Sequence, residues 1–66
     1  MTSVREERRE QIIKAAIKVF GRNNFHKTKM DDIAKEVQIG KSTIYEYFDS
    51  KKDLFEEMLV YITTGY

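Results

Sequence analysis

Ile13, Ala16, Ile17 and Phe20 stand at i, i+3, i+4 and i+7, and Ile12 and Val19 widen the stripe. That is the spacing of one apolar face of an α-helix. Upstream, Ser3 followed three residues later by Glu6 has the form of a capping box. Downstream, "FGRNNF" reads as a stop. Asn24 in the left-handed conformation would place Phe20 and Phe25 at the two positions that touch in a Schellman motif. These signals predict a first helix over about residues 4–23. Met30, Ile33, Ala34 and Val37 form a second stripe, preceded by Thr28, a good N-cap, with Asp31 and Asp32 in the first turn where the helix dipole favours acids. It predicts a second helix over about 29–36, cut short by "VQIGKS". Ile44 and Phe48, four apart, predict a third over about 41–48. Ser50 caps a fourth from about 51, with Asp53 at N3 and a stripe of Leu54, Phe55, Met58, Leu59 and Ile62. No segment alternates as a strand does. The expected fold is all-α: a three-helix domain plus the start of a fourth, connecting helix.

Two short helices joined by a tight turn, after a longer one, make a helix-turn-helix arrangement. Ile33, Val37, Ile39 and Ile44 fill the places that must be apolar for the two helices to pack, and Ala34 supplies a small side chain at their approach. The turn position four after Ala34 needs a left-handed backbone, and here it is Gln38. A non-glycine residue there costs on the order of 1 kcal/mol.

Composition narrows the function classes. The 66 residues contain no Cys and one His, so neither a disulfide framework nor a thiolate or imidazole metal cluster is available. With no Cys, one His, no carboxylate pair inside a plausible pocket and no Gly-rich loop, nothing suggests an enzyme, and no cofactor or metal is expected. No apolar run reaches the ~20 residues of a membrane span. With 41% hydrophobic and 35% charged residues, a small cytoplasmic helical domain is expected. The net charge is only +1, but it is segregated. Residues 11–29 carry Lys14, Lys18, Arg22, Lys27 and Lys29 without an acid, whereas residues 53–66 carry Asp53, Glu56 and Glu57 without a base. Such polarity hints at an anionic partner on one side.

The segment "TKMDDIAKEVQIGKSTIYEYFDSKKDLFEEML" resembles the DNA-binding region of the tetracycline-repressor (TetR) family of bacterial transcriptional regulators. The diagnostic piece is T-(I/L)-Y-x-(Y/H)-F-x-(S/N)-K-x-x-L, met by Thr43, Ile44, Tyr45, Tyr47, Phe48, Ser50, Lys51 and Leu54. "IIKAAIKVFGRNNFHKT" is similar to the family's first helix, and the likeness runs from about Glu10 to Leu59. The chain departs from the pattern at Asn24 and Gln38, where Gly is usual, and at Gly40, where Ser is common. The resemblance implies that the third helix lies in the major groove, with Thr28, Lys29, Tyr47 and Lys51 on phosphates. It also implies a palindromic operator, a homodimer in the full-length protein, and a C-terminal domain, absent from these residues, that dimerises and takes a small-molecule effector. The 66 residues alone are expected to be a largely monomeric fragment.

The residues suit these roles. On a helix over 41–48, Ile44 and Phe48 turn to the core, Lys41, Ser42, Tyr45 and Glu46 share another face, and Tyr47 sits at its edge. A tyrosine ring packs on sugar or a thymine methyl while its hydroxyl bonds phosphate or a base edge. Lys41, Thr43 and Lys51 can donate to phosphates or guanine acceptors, and Glu46 can accept from a cytosine amino group. Thr28 and Lys29 stand where a helix N-terminus holds phosphate. Plainer readings stay open: Tyr45 and Tyr47 as half-buried rings over a small core, Lys51 and Lys52 as solvated lysines. The alternative function is a helical protein-interaction module that binds an acidic partner.

Overall fold

A computed structural model describes residues 3–64. They form α1 (Val4–Arg22), α2 (Met30–Val37), α3 (Lys41–Tyr47) and α4 (Lys51–Thr64), with no strand among the described residues. α1 packs against α2 and α4, and α2 packs against α3. Ile12 and Ala16 of α1, Ile33 of α2, Ile44 of α3 and Leu54 of α4 are fully buried together, and Phe48 closes the core from the end of α3. Each helix contributes the apolar face that its spacing marks, so a core forms without any covalent staple. The four helices and the absence of a strand among the described residues are as the pattern predicts.

Caps explain where the helices begin. The Ser3 hydroxyl accepts from the Glu6 N–H at 3.1 Å, and the Ser50 hydroxyl accepts from the Asp53 N–H at 3.1 Å. The Asp53 carboxylate in turn accepts from the Asp49 N–H at 3.1 Å. α2 departs from expectation. Its N-cap is Lys29, not Thr28, with the Lys29 N–H donating to the Asp32 carboxylate at 3.1 Å. A lysine side chain cannot accept a hydrogen bond. Only the returning half of a capping box is therefore made.

The end of α1 also departs. Among the described residues Gln38 is the only non-glycine with a positive φ, so Asn24 is not left-handed and no Schellman motif closes α1. Asn23 is extended at φ −127°, ψ 153°. The Asn24 side-chain oxygen accepts from the Lys27 N–H at 2.8 Å, and its carbonyl accepts from the Thr28 N–H and hydroxyl at 3.1 and 3.0 Å. Asparagine builds this turn with its own side chain and needs no left-handed backbone. The expected meeting of Phe20 and Phe25 still occurs, with stacked rings whose centres lie 5.7 Å apart. Phe55 of α4 packs edge-on against both, at 5.2 and 5.1 Å.

The Schellman bonds appear instead at the end of α2. Ile39 N–H donates to the Ala34 carbonyl at 3.0 Å and Gln38 N–H to the Lys35 carbonyl at 3.1 Å. Gln38 takes φ 63°, ψ 44°, the left-handed conformation the turn requires. This turn sets the angle at which α3 leaves α2, and so positions the surface described next.

Candidate nucleic-acid interface

α3 is built as a two-sided element. Ile44 and Phe48 anchor it in the core, and Gly40 caps it through its carbonyl, which accepts from Thr43 and Ile44 at 3.1 and 3.2 Å. The other side is open. Lys41, Ser42, Tyr45 and Glu46 are exposed, Tyr45 at 42%, while Thr43 and Tyr47 are half-buried. Donors, acceptors and one ring therefore project from a rigid apolar base. Lys41 Nζ lies 3.9 Å from an Asp31 carboxylate oxygen, a loose surface pair that contributes little and leaves the ammonium available.

Three flanking residues are placed differently from one another. The Lys29 side chain is exposed at the start of α2, although its backbone N–H is already committed to Asp32. Thr28 must be corrected: it is 0% exposed, and its hydroxyl is turned inward onto the Asn24 carbonyl. It anchors the α1–α2 turn and has no polar atom left for a phosphate. Lys51 is half-buried, donating to the Phe25 carbonyl at 2.6 Å with its ammonium 4.2 Å from the Phe25 ring centre. Its first task is to tie the start of α4 to the α1–α2 turn. Two of its three N–H donors remain uncommitted by that bond.

The basic run in residues 11–29 is partly consumed inside the domain. Glu36 of α2 takes Arg22 at 2.7 Å and Lys18 at 3.4 Å, and Lys14 pairs at 3.5 Å with Glu10, one turn before it on α1. The hydrogen bond from Arg22 is the main cause that holds the Glu36 carboxyl below its ordinary value of 4.5; desolvation opposes it less strongly, and the Lys18 hydrogen bond adds a smaller lowering effect. Among the described residues, Lys27 and Lys29 make no ion pair in this run. Those two, like Lys52 and the loosely paired Lys41, remain available to an outside anion.

Sequence reasoning missed Arg5. Its guanidinium reaches from α1 to the end of α3, where it donates to the Glu46 carbonyl at 3.3 Å and lies over the Tyr47 ring at 4.7 Å. One signal was available: the last turn of α3 holds no basic residue, so its terminal carbonyls must find a cation elsewhere.

The sequence profile described as "Bacterial regulatory proteins, tetR family" matches residues 12–58, which span α2, α3 and Lys51 but not Arg5. The chain belongs to the TetR family. Over 49 residues it is 43% identical to the biofilm operon icaADBC HTH-type negative transcriptional regulator IcaR of Staphylococcus aureus, covering 74% of this chain and 26% of that protein. Over 52 residues it is 40% identical to the uncharacterized HTH-type transcriptional regulator YhgD of Bacillus subtilis, covering 79% and 27%. The chain thus spans about a quarter of the length of these TetR-family relatives. No solved structure gives a significant match. Within the TetR family frame, α2 and α3 are the helix-turn-helix, and Gln38 is its left-handed turn residue.

Proposed function

We propose that this chain is the operator-reading domain of a bacterial transcriptional regulator, and that it binds duplex DNA with α3 in the major groove. The observation that carries this reading is the exposed polar face of α3, Lys41, Ser42, Tyr45 and Glu46, fixed to the core through Ile44 and Phe48. Lys41, Ser42, Thr43, Tyr45 and Glu46 face base edges, while Lys29, Tyr47 and the spare donors of Lys51 hold phosphates. Family membership supports the same function and gives no support to an enzymatic one. The negative regulator among the relatives supports repression as the outcome of binding. The reading places the protein in the bacterial cytoplasm. No described helix is long and apolar enough to cross a membrane.

One α3 reads only a half-site. Useful specificity needs two about one DNA turn, ~34 Å, apart. A homodimer on a palindromic operator supplies them, with repression relieved by a small effector bound in a C-terminal domain. The greater length of the relatives is consistent with that assembly. These residues alone are monomeric in this account. Leu59, Val60 and Ile62 are the exposed apolar residues of α4, three side chains where a stable interface normally buries ~1,200 Å² or more in total.

Titration of the 66-residue chain against a palindromic duplex tests the reading. Affinity should fall at least tenfold between about 50 and 200 mM salt, because Lys-to-phosphate contacts release counterions. Lys41→Ala should also flatten the preference among duplexes by about 1–3 kcal/mol. No binding even at the lower salt sinks the DNA reading and leaves the protein-interaction module.

A further inference from the structure

Arg5 sits in the first turn of α1 among Glu6, Glu7, Arg8 and Arg9, where the sequence alone gives it no distinct role. The fold brings it 41 residues along the chain to the end of α3. The last helical bond of α3 runs from the Phe48 N–H to the Ile44 carbonyl, so the carbonyls beyond Ile44 look outside the helix for partners. Arg5 serves one of them, Glu46, at 3.3 Å. The same guanidinium lies over the Tyr47 ring, 4.7 Å from its centre.

These two contacts fix a planar cation with five N–H donors and use one donor. The side chain is exposed and makes no ion pair to Glu46, Glu6 or Glu7 among the described residues. Arg9, its neighbour one turn on, differs: it is held by Glu57 at 2.8 Å and lies over the Phe48 ring. Arg5 therefore keeps an uncompensated charge, with its orientation set, at the rim of the polar face of α3. We propose that Arg5 is a phosphate ligand of the DNA interface, oriented by the Glu46 carbonyl and the Tyr47 ring. The inference rests on the DNA reading above and extends the contact surface from the helix-turn-helix to the start of α1. A fork of donors matches two oxygens of one phosphate, which a lysine at the same place cannot do.

The test uses the 66-residue chain, R5Q and R5K against a mixed-sequence duplex, with affinity measured across a salt series. One lost phosphate contact should reduce the slope of log K against log salt by about 0.9 and weaken binding about fivefold to tenfold near 0.1 M salt. R5Q should show both losses, while R5K should keep the parent slope. In the DNA-free proteins, R5Q should shift the Tyr47 ring resonances, since the cation over the ring is gone. Its melting temperature should stay near that of the parent, as expected for an exposed side chain. A parent that binds the duplex, matched by R5Q in affinity and slope, overturns the role of Arg5 alone. Weaker binding with an unchanged slope overturns it as well. A parent that binds no duplex at low salt strikes the DNA reading itself, and this inference falls with it.

Discussion

Gln38 carries a backbone conformation that its side chain makes costly. At φ 63° and ψ 44° a Cβ crowds the neighbouring carbonyl, a penalty of roughly 1–2 kcal/mol for a non-glycine residue. Glycine would remove it while giving up about 0.5–1 kcal/mol of chain entropy. Gln38→Gly should therefore stabilise the domain by about 0.5–1 kcal/mol, raising the melting temperature by roughly 2–8 °C. A lower melting temperature would mean that the glutamine side chain contributes something the backbone argument omits. The position was legible because a helix-turn-helix needs this conformation whatever residue occupies it. Thr28 was not legible. A threonine before an acidic first turn suits both an N-cap and an inward bond to a turn carbonyl, and only the course of the α1–α2 turn makes it the second. Lys51 was ambiguous for the same reason. Two residues of the same composition, one bonded to Phe25 and one exposed, stand side by side as Lys51 and Lys52.

At the scale of elements, helix length governs how fully the spacing shows the buried face. α1 has 19 residues, enough to repeat its apolar stripe and show which face is buried. α3 has seven, barely two turns, so its two faces were read from the motif and from a single i, i+4 pair. Helix ends were read less well than helix faces. Where one side chain accepts from one N–H, as Ser3 and Ser50 do, residue type suffices. Where several turn geometries compete, as after α1, it does not. The Ser50 cap offers a direct check, because the start of α4 carries both Lys51 and the last stretch of the core. Ser50→Ala should cost about 1 kcal/mol in denaturant unfolding, and Ser50→Asn, another good cap, should recover most of it. An alanine variant as stable as the parent would show that the Asp49–Asp53 bond holds this helix start unaided.

Over the whole molecule, α1 is the element to which everything else is tied. Arg5 reaches α3, Arg9 and Glu10 reach α4 through Glu57 and Tyr61, and Lys18 and Arg22 reach Glu36 of α2. The charge blocks along the chain therefore divide between two uses, which the sequence could not separate: some cations close the fold, and others stay outside for an anion. Glu36 permits a test of the first use. Its pKa is lowered in the folded state, so its contribution to stability is complete above the unfolded value of 4.5 and is lost as pH falls through the lower folded value. Glu36→Gln should melt below the parent near pH 7, and the gap should close as the pH falls below 4.5 and through the lowered folded value. Other carboxylates titrate over the same range in both proteins, so the parent-minus-variant difference isolates this one. Because the Lys18 and Arg22 side chains are largely solvated, the gap should also narrow in about 1 M salt at neutral pH. A gap that persists unchanged in acid would mean that Glu36 acts through packing against α1 rather than through its charge, and that α1 and α2 are joined by the core alone.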